Sequence, residues 1–198
     1  MPRKAKIRPD EPGRERVLEA GLELFGERGY DATSIAEIGE RAGISKSVLY
    51  HYFDSKSDLY EAIVEAETAA LLERVAAAVP ADPEAPRLRA GVDAYLGFLA
   101  ERPAAWQLFL RDPPAETDLA EVYERSASER AAGLTALLTA PRKRRTAPWH
   151  VELVATGIRA FASWWYDHRE VPQEAVADSI LDFAIAGAKR IARSRPPA

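Results

Sequence analysis

Ser47, Tyr50 and His51 recur at spacings that put them on one face of a short helix, with Lys46 beside them. This face offers hydroxyls, an imidazole, aromatic bulk and a cation, and it contains no carboxylate. Such a set can donate to phosphate oxygens and touch base edges, whereas a carboxylate would repel phosphate. Leu49, Tyr52 and Phe53 fall on another face and are expected to pack inward. The pattern therefore suits a helix laid against DNA. The competing reading is an ordinary αα-hairpin with Tyr50 and His51 half buried.

The elements that must position these residues are written in the flanking sequence. Ile35, Ile38, Gly39 and Ala42 mark one face of a preceding short helix. Ser34 and Glu37 form a capping box at its start, and Gly43 supplies a left-handed residue at its end. Ser45 then caps a second helix, Lys46 to Phe53. Two short helices joined by a tight glycine turn follow the grammar of a helix-turn-helix, whose second helix enters the major groove.

Thr33-Ser34, Ile38, Ala42-Gly43-Ile44-Ser45, Leu49-Tyr50, Phe53 and Lys56 resemble the signature of the TetR family of bacterial transcriptional regulators. The preceding Ala20 to Phe25 and Glu27-Arg28-Gly29-Tyr30 are similar to the family's first helix and the turn after it. The resemblance covers about a quarter of the chain and is specific because many fixed spacings agree together. One position departs: Gly39 stands where the family usually has alanine, at about 1 kcal/mol of helix propensity, so a softer helix is expected.

The resemblance implies an all-α fold of about nine helices. Residues 1–55 would be an arm and a three-helix DNA-binding domain, and residues 56–198 a larger ligand-binding and dimerisation domain. It implies a homodimer on a palindromic double-stranded operator, most often repressing, with release by a small effector. Ser34, Lys46, Ser47, Val48, Tyr50, His51 and Lys56 are the candidate DNA-binding residues, Lys56 as a phosphate contact. The alternative on the same fold is a DNA-bound structural or cell-division factor without an inducer.

Around this centre the helical periodicity is regular. Val17, Ala20, Leu22, Leu24 and Phe25 make the buried stripe of a first helix over Arg14 to Arg28, with Phe25 and Phe53 expected as core partners. Glu15, Glu19, Glu23 and Glu27 make its solvated face. Ser55 and Asp58 form a second capping box, opening a helix that runs to about Val79. Further helices are expected at about 86–101, from 103 to the Pro113-Pro114 break, at 117–139, at 147–168 and from Pro172 onward.

Arg130 interrupts the stripe of the helix expected at 117–139 and reads either as an anchor for an acidic ligand or as a rim arginine laying its stem on apolar surface. Tyr95, Trp106, Phe109, Tyr123 and Trp165 are expected to wall a largely apolar effector pocket, or else to fill the core. Phe161, Ile180, Phe183, Ala184, Gly187, Ala188 and Ile191 are the candidate dimer face on the last two helices.

Bulk charge does not argue for DNA. Residues 1–56 carry ten basic and ten acidic side chains, and the net charge of −4 lies wholly in the remainder. Arg3, Lys4, Lys6 and Arg8 could form a basic arm or a solvated tail, and Arg142 to Arg145 read as a solvated run. There is no cysteine, no signal-peptide core and no apolar run of about 18 residues, so a cytoplasmic protein without membrane association is expected. The three histidines lack metal-ligand spacing, and no phosphate-binding loop or nucleophile elbow is present. No enzyme, metal or cofactor is expected.

Overall fold

The computed structural model describes residues 12–82, 86–110, 117–138 and 148–193. All regular structure among them is helical: α1 (Pro12–Arg28), α2 (Ile35–Arg41), α3 (Lys46–Tyr52), α4 (Lys56–Ala78), α5 (Arg87–Glu101), α6 (Pro103–Leu110), α7 (Thr117–Leu138), α8 (Pro148–Asp167) and α9 (Gln173–Arg193). The basic arm residues and the 142–145 run lie outside the described residues. No described helix is long and apolar enough to cross a membrane.

The helices begin and end where local chemistry directs. α1 starts two residues before the expected Arg14, because Pro12 has the fixed φ and missing N–H that suit a first helical position. Pro103 does the same for α6. Among the described residues, only Gly29 and Gly43 have positive φ, at 84° and 65°. Both sit just past a helix end, where a side chain would strain the left-handed backbone.

The chain divides into two compact units. The first joins α1, α2, α3 and α4 as far as Ala70 to α6 and to α7 as far as Ser128. Its core holds Val17, Leu24 and Phe25 of α1, Ile38, Leu49, and Leu59, Ile63 and Val64 of α4. The rings of Phe25, Tyr30 and Tyr60 meet pairwise at 5.3–5.6 Å. Phe25 thus finds its ring partners in Tyr30 and Tyr60, while the Arg14 guanidinium lies over Phe53 at 5.1 Å. α1 crosses α6 so closely that a Cβ on Gly26 would stand 2.9 Å from the Ala104 backbone. Glu67 of α4 is buried, and Arg102 closes on it with two bonds of 2.8 and 2.5 Å. That pairing keeps the Glu67 charge from being orphaned in a dry site.

The second unit holds Leu71 to Glu101 and the chain from Glu129 onward. Here α5 packs on α9, and α8 also touches α9. Arg89 of α5 pairs with Asp93 at 2.7 Å and with Asp178 of α9 at 2.7 Å. Arg74 grips Glu101 through two bonds of 2.6 and 2.7 Å. Trp165 is buried and donates its indole N–H to the Val171 carbonyl at 2.8 Å, so its polar edge is satisfied.

Two expectations about polar side chains change. Arg130 is buried, not on a rim. It continues the α7 face of Leu119, Val122, Tyr123 and Ser126, all of them buried, so the helix turns it inward. The acidic face of α1 is exposed as expected, but it is not merely solvated. Arg41 of α2 lies 2.9 Å from Glu23 and 3.8 Å from Glu27, tying α2 to α1.

Candidate nucleic-acid interface

α3 is held by caps at both ends of the turn before it. Ser34 accepts from the Glu37 amide at 3.2 Å, and Glu37 accepts from the Ser34 amide at 2.9 Å. These two bonds complete the capping box of α2. The Glu37 carboxyl is held below the usual carboxylate range by hydrogen bonding to Ser34, with Arg28 at 3.0 Å adding to the effect. The Gly43 amide closes on the Glu40 carbonyl at 3.1 Å, and that of Ile44 closes on Gly39 at 2.8 Å. A Cβ on Gly39 would stand 3.0 Å from the Ile44 carbonyl oxygen, so the glycine gives this turn its close approach. Ser45 then accepts from the Val48 amide at 3.3 Å and sets the rotation of α3.

That rotation sorts the side chains of α3. Leu49 and Phe53 are buried, and Tyr52 is half-buried. Lys46, Ser47, Val48, Tyr50 and His51 are exposed together. The Lys46 ammonium lies 5.8 Å from the centre of the Tyr50 ring. Ser34 is exposed as well, but its hydroxyl is engaged in the cap. Six of the seven candidate DNA-binding residues are therefore open to solvent.

Lys56 is different. Its ammonium donates to the carbonyls of Tyr30 and Thr33, each at 3.0 Å, and sits 4.0 Å above the Tyr30 ring. Two of its three donors are thus engaged by the loop between α1 and α2. Thr33, itself buried, donates its hydroxyl to Gly29 at 2.8 Å with Leu24 at 3.2 Å. The lysine ties the start of α4 to a loop that is already fixed. Composition gives no sign of this bond, because its acceptors are backbone carbonyls 23 and 26 residues away. The second cap also differs in detail. Ser55 accepts from the Asp58 amide at 3.0 Å, but Asp58 reaches back to the Asp54 amide at 3.1 Å, one residue before the cap.

The candidate effector residues fall in both units. Trp106, Phe109 and Tyr123 belong to the first and are buried, with the Tyr123 hydroxyl donating to the Phe109 carbonyl at 2.9 Å. Tyr95, half-buried, and Trp165 belong to the second. Of the candidate dimer residues, Ile180 is buried within its own chain and is core, since it continues the inward face of Val176 and Ala177. Phe183 is 67% exposed, while Phe161 and Ala184 are half-buried. The side chains of Gly187, Ala188 and Ile191 lie outside the described residues. Trp164 shares the sequence stripe of Phe161 but is not among the candidate dimer residues; its exposed ring stacks between Phe161 at 5.5 Å and His168 at 4.2 Å. Its helical spacing from Phe161 was the available signal.

Comparison with known proteins agrees with this geometry. Residues 17–63 match the family described as bacterial regulatory proteins, tetR family. Residues 85–187 match the tetracyclin repressor-like C-terminal domain. The chain is 28% identical over 192 residues to the HTH-type transcriptional activator FasR of Mycolicibacterium smegmatis, covering 94% of this chain and 88% of the relative. It is 36% identical over 52 residues to the biofilm operon negative transcriptional regulator IcaR of Staphylococcus aureus, 26% of this chain and 28% of that protein. A crystal structure of a TetR-like transcriptional regulator from Rhodococcus sp. RHA1 shares the fold with a TM-score of 0.71 at 24% identity, over 92% of this chain and 99% of that one. The chain belongs to the TetR family of DNA-binding bacterial transcriptional regulators.

Proposed function

We propose that this protein is a ligand-responsive repressor that binds a palindromic operator as a homodimer. Residues 1–55 serve as the reading head and residues 56–198 as the regulatory part. The observation that carries the reading is the α3 face, where Lys46, Ser47, Val48, Tyr50 and His51 are exposed together with no carboxylate among them. A two-fold dimer presents two such helices, so the operator repeats in inverted half-sites. The half-buried and exposed aromatics Phe161, Trp164 and Phe183 supply the dimer face. The effector is a largely apolar small molecule bound by the regulatory part. It acts by favouring the arrangement that does not fit DNA.

A second reading, activation, is favoured by the likeness to FasR along 94% of the chain, since that protein is named an activator. Selection of bound duplexes from a random pool tests the DNA-binding reading, and a promoter fusion carrying the selected site separates repression from activation. An inverted repeat is expected, with binding lost in Tyr50→Ala while fold and dimer persist. Tyr50→Ala binding like wild type would overturn the assignment of α3. Loss of binding on adding apolar acids or neutral aromatics is expected of the effector reading. A protein indifferent to every such compound would be a constitutive DNA-bound factor.

A further inference from the structure

The α3 face is unusual in what it lacks. Its exposed side chains are Lys46, Ser47, Val48, Tyr50 and His51, with no Arg, Asn, Gln, Asp or Glu among them. Those absent types, together with lysine, make the paired hydrogen bonds that identify guanine and adenine, or accept from cytosine. The one long cation leans over the Tyr50 ring. Apolar surface is present instead. Val48 is 40% exposed and Tyr50 43% exposed, and both are among the few large apolar side chains left open in the described residues. The others, Trp164, Phe183 and Ile185, lie on α8 and α9. Val48 is also held firmly: its amide is bonded to Ser45, and the next residue, Leu49, is wholly buried.

In the major groove one feature is apolar, the C5 methyl group of thymine. A rigid, exposed valine beside an exposed ring matches that feature and matches none of the hydrogen-bonding edges. We propose that Val48, with Tyr50 beside it, is a specificity-determining residue that selects thymine in each operator half-site by covering its methyl group. Resting on α3 as the reading helix, the inference adds the kind of base that is read and the contact that reads it.

Replacing thymine by deoxyuridine removes only the methyl and leaves base pairing intact. The test uses the full-length protein and its selected operator, with each thymine exchanged in turn. For at least one thymine per half-site, exchange should weaken binding about threefold to fivefold, the equivalent of roughly one buried methyl. Val48→Ala should weaken binding by a similar factor and become insensitive to deoxyuridine at that thymine. Its thermal melt should match wild type, because the side chain touches solvent. Two results would overturn the proposal: indifference of wild type to deoxyuridine everywhere, or an undiminished deoxyuridine effect in Val48→Ala. Both leave α3 as the reading helix. Failure of that reading has a different signature, Tyr50→Ala and Val48→Ala binding the selected duplex as wild type does.

Discussion

The first unit and the second unit close their helices by different means. In the first, side chains close the turns and the helix ends. Ser34 with Glu37, Ser45, and Ser55 with Asp58 satisfy amides, while Lys56 satisfies two loop carbonyls. In the second, polar contacts such as Arg89 to Asp178 and Gln173 to Asp93 run between helices. That unit also leaves Trp164, Phe183 and Ile185 exposed. A part that must hold one short helix at a fixed angle gains from rigid local closure, since a misplaced reading helix loses base contacts. A part that carries an assembly face must instead keep apolar surface open until a partner covers it.

The contrast can be broken most severely where the first unit is tightest. Gly26→Val would drive a branched side chain into the Ala104 backbone, at a Cβ distance of 2.9 Å. Overpacking of this kind costs about 2–3 kcal/mol. A fall in Tm of roughly 5–10 °C should follow in a circular dichroism melt. An unchanged melt would mean that α1 and α6 separate freely.

Lys56→Met keeps the length of the stem and removes the donors. Losing two carbonyl bonds and the contact with Tyr30 should destabilise the protein by about 1.5–3 kcal/mol, seen as a lower denaturation midpoint. A purely phosphate-binding lysine would behave otherwise, lowering the slope of log affinity against log salt by about one with stability unchanged. The two readouts separate closure of the head from contact with DNA.

For the second unit the corresponding test is Phe183→Glu. The residue is 67% exposed, so the protomer should fold with a melt close to wild type at the unfolding step of the monomer. A carboxylate placed in an apolar dimer face should weaken self-association about tenfold or more, read by sedimentation. A dimer indifferent to the change would place the assembly face elsewhere.

The smallest effect concerns the α2 cap. Glu37 has a folded-state pKa below its ordinary value of 4.5. Its contribution is therefore complete above that ordinary value and is lost as pH falls through the lower folded value. Acid titration of stability should show a shallow loss in that window for wild type. Glu37→Gln should flatten it, since the amide still accepts from Ser34 and does not titrate.

Much of the first unit was legible because its signals are local. Ser34, Gly43 and Ser45 act on residues within four positions, and spacing alone reveals them. The α3 face was legible for the same reason, since Leu49 and Phe53 define its inner side. What escaped acts over distance. The loop bonds of Lys56 went unseen because nothing in a linear pattern shows that two carbonyls of an earlier loop surround it. Ile180 was assigned to the dimer face because an apolar stripe cannot tell its own chain from a second copy. Arg130 was left between a ligand anchor and a rim arginine because its burial depends on partners other than its neighbours in sequence. Glu67, left unremarked among the alanines and glutamates of α4, is distinguished only by the arrival of Arg102 from 35 residues away.

The bonds of Lys56 also bear on how the head opens. Backbone amides exchange their hydrogens through local unfolding, and segments joined by shared bonds exchange together. A single ammonium fastens the loop of Tyr30 and Thr33 to the first turn of α4. The loop cannot peel away while α4 stays wound without first breaking that pair of bonds. Deuterium uptake by the amides of 29–33 and of the Leu59 turn should therefore proceed as one cooperative event in wild type. With Lys56→Met it should divide into two, the loop opening early and α4 keeping its own slower rhythm.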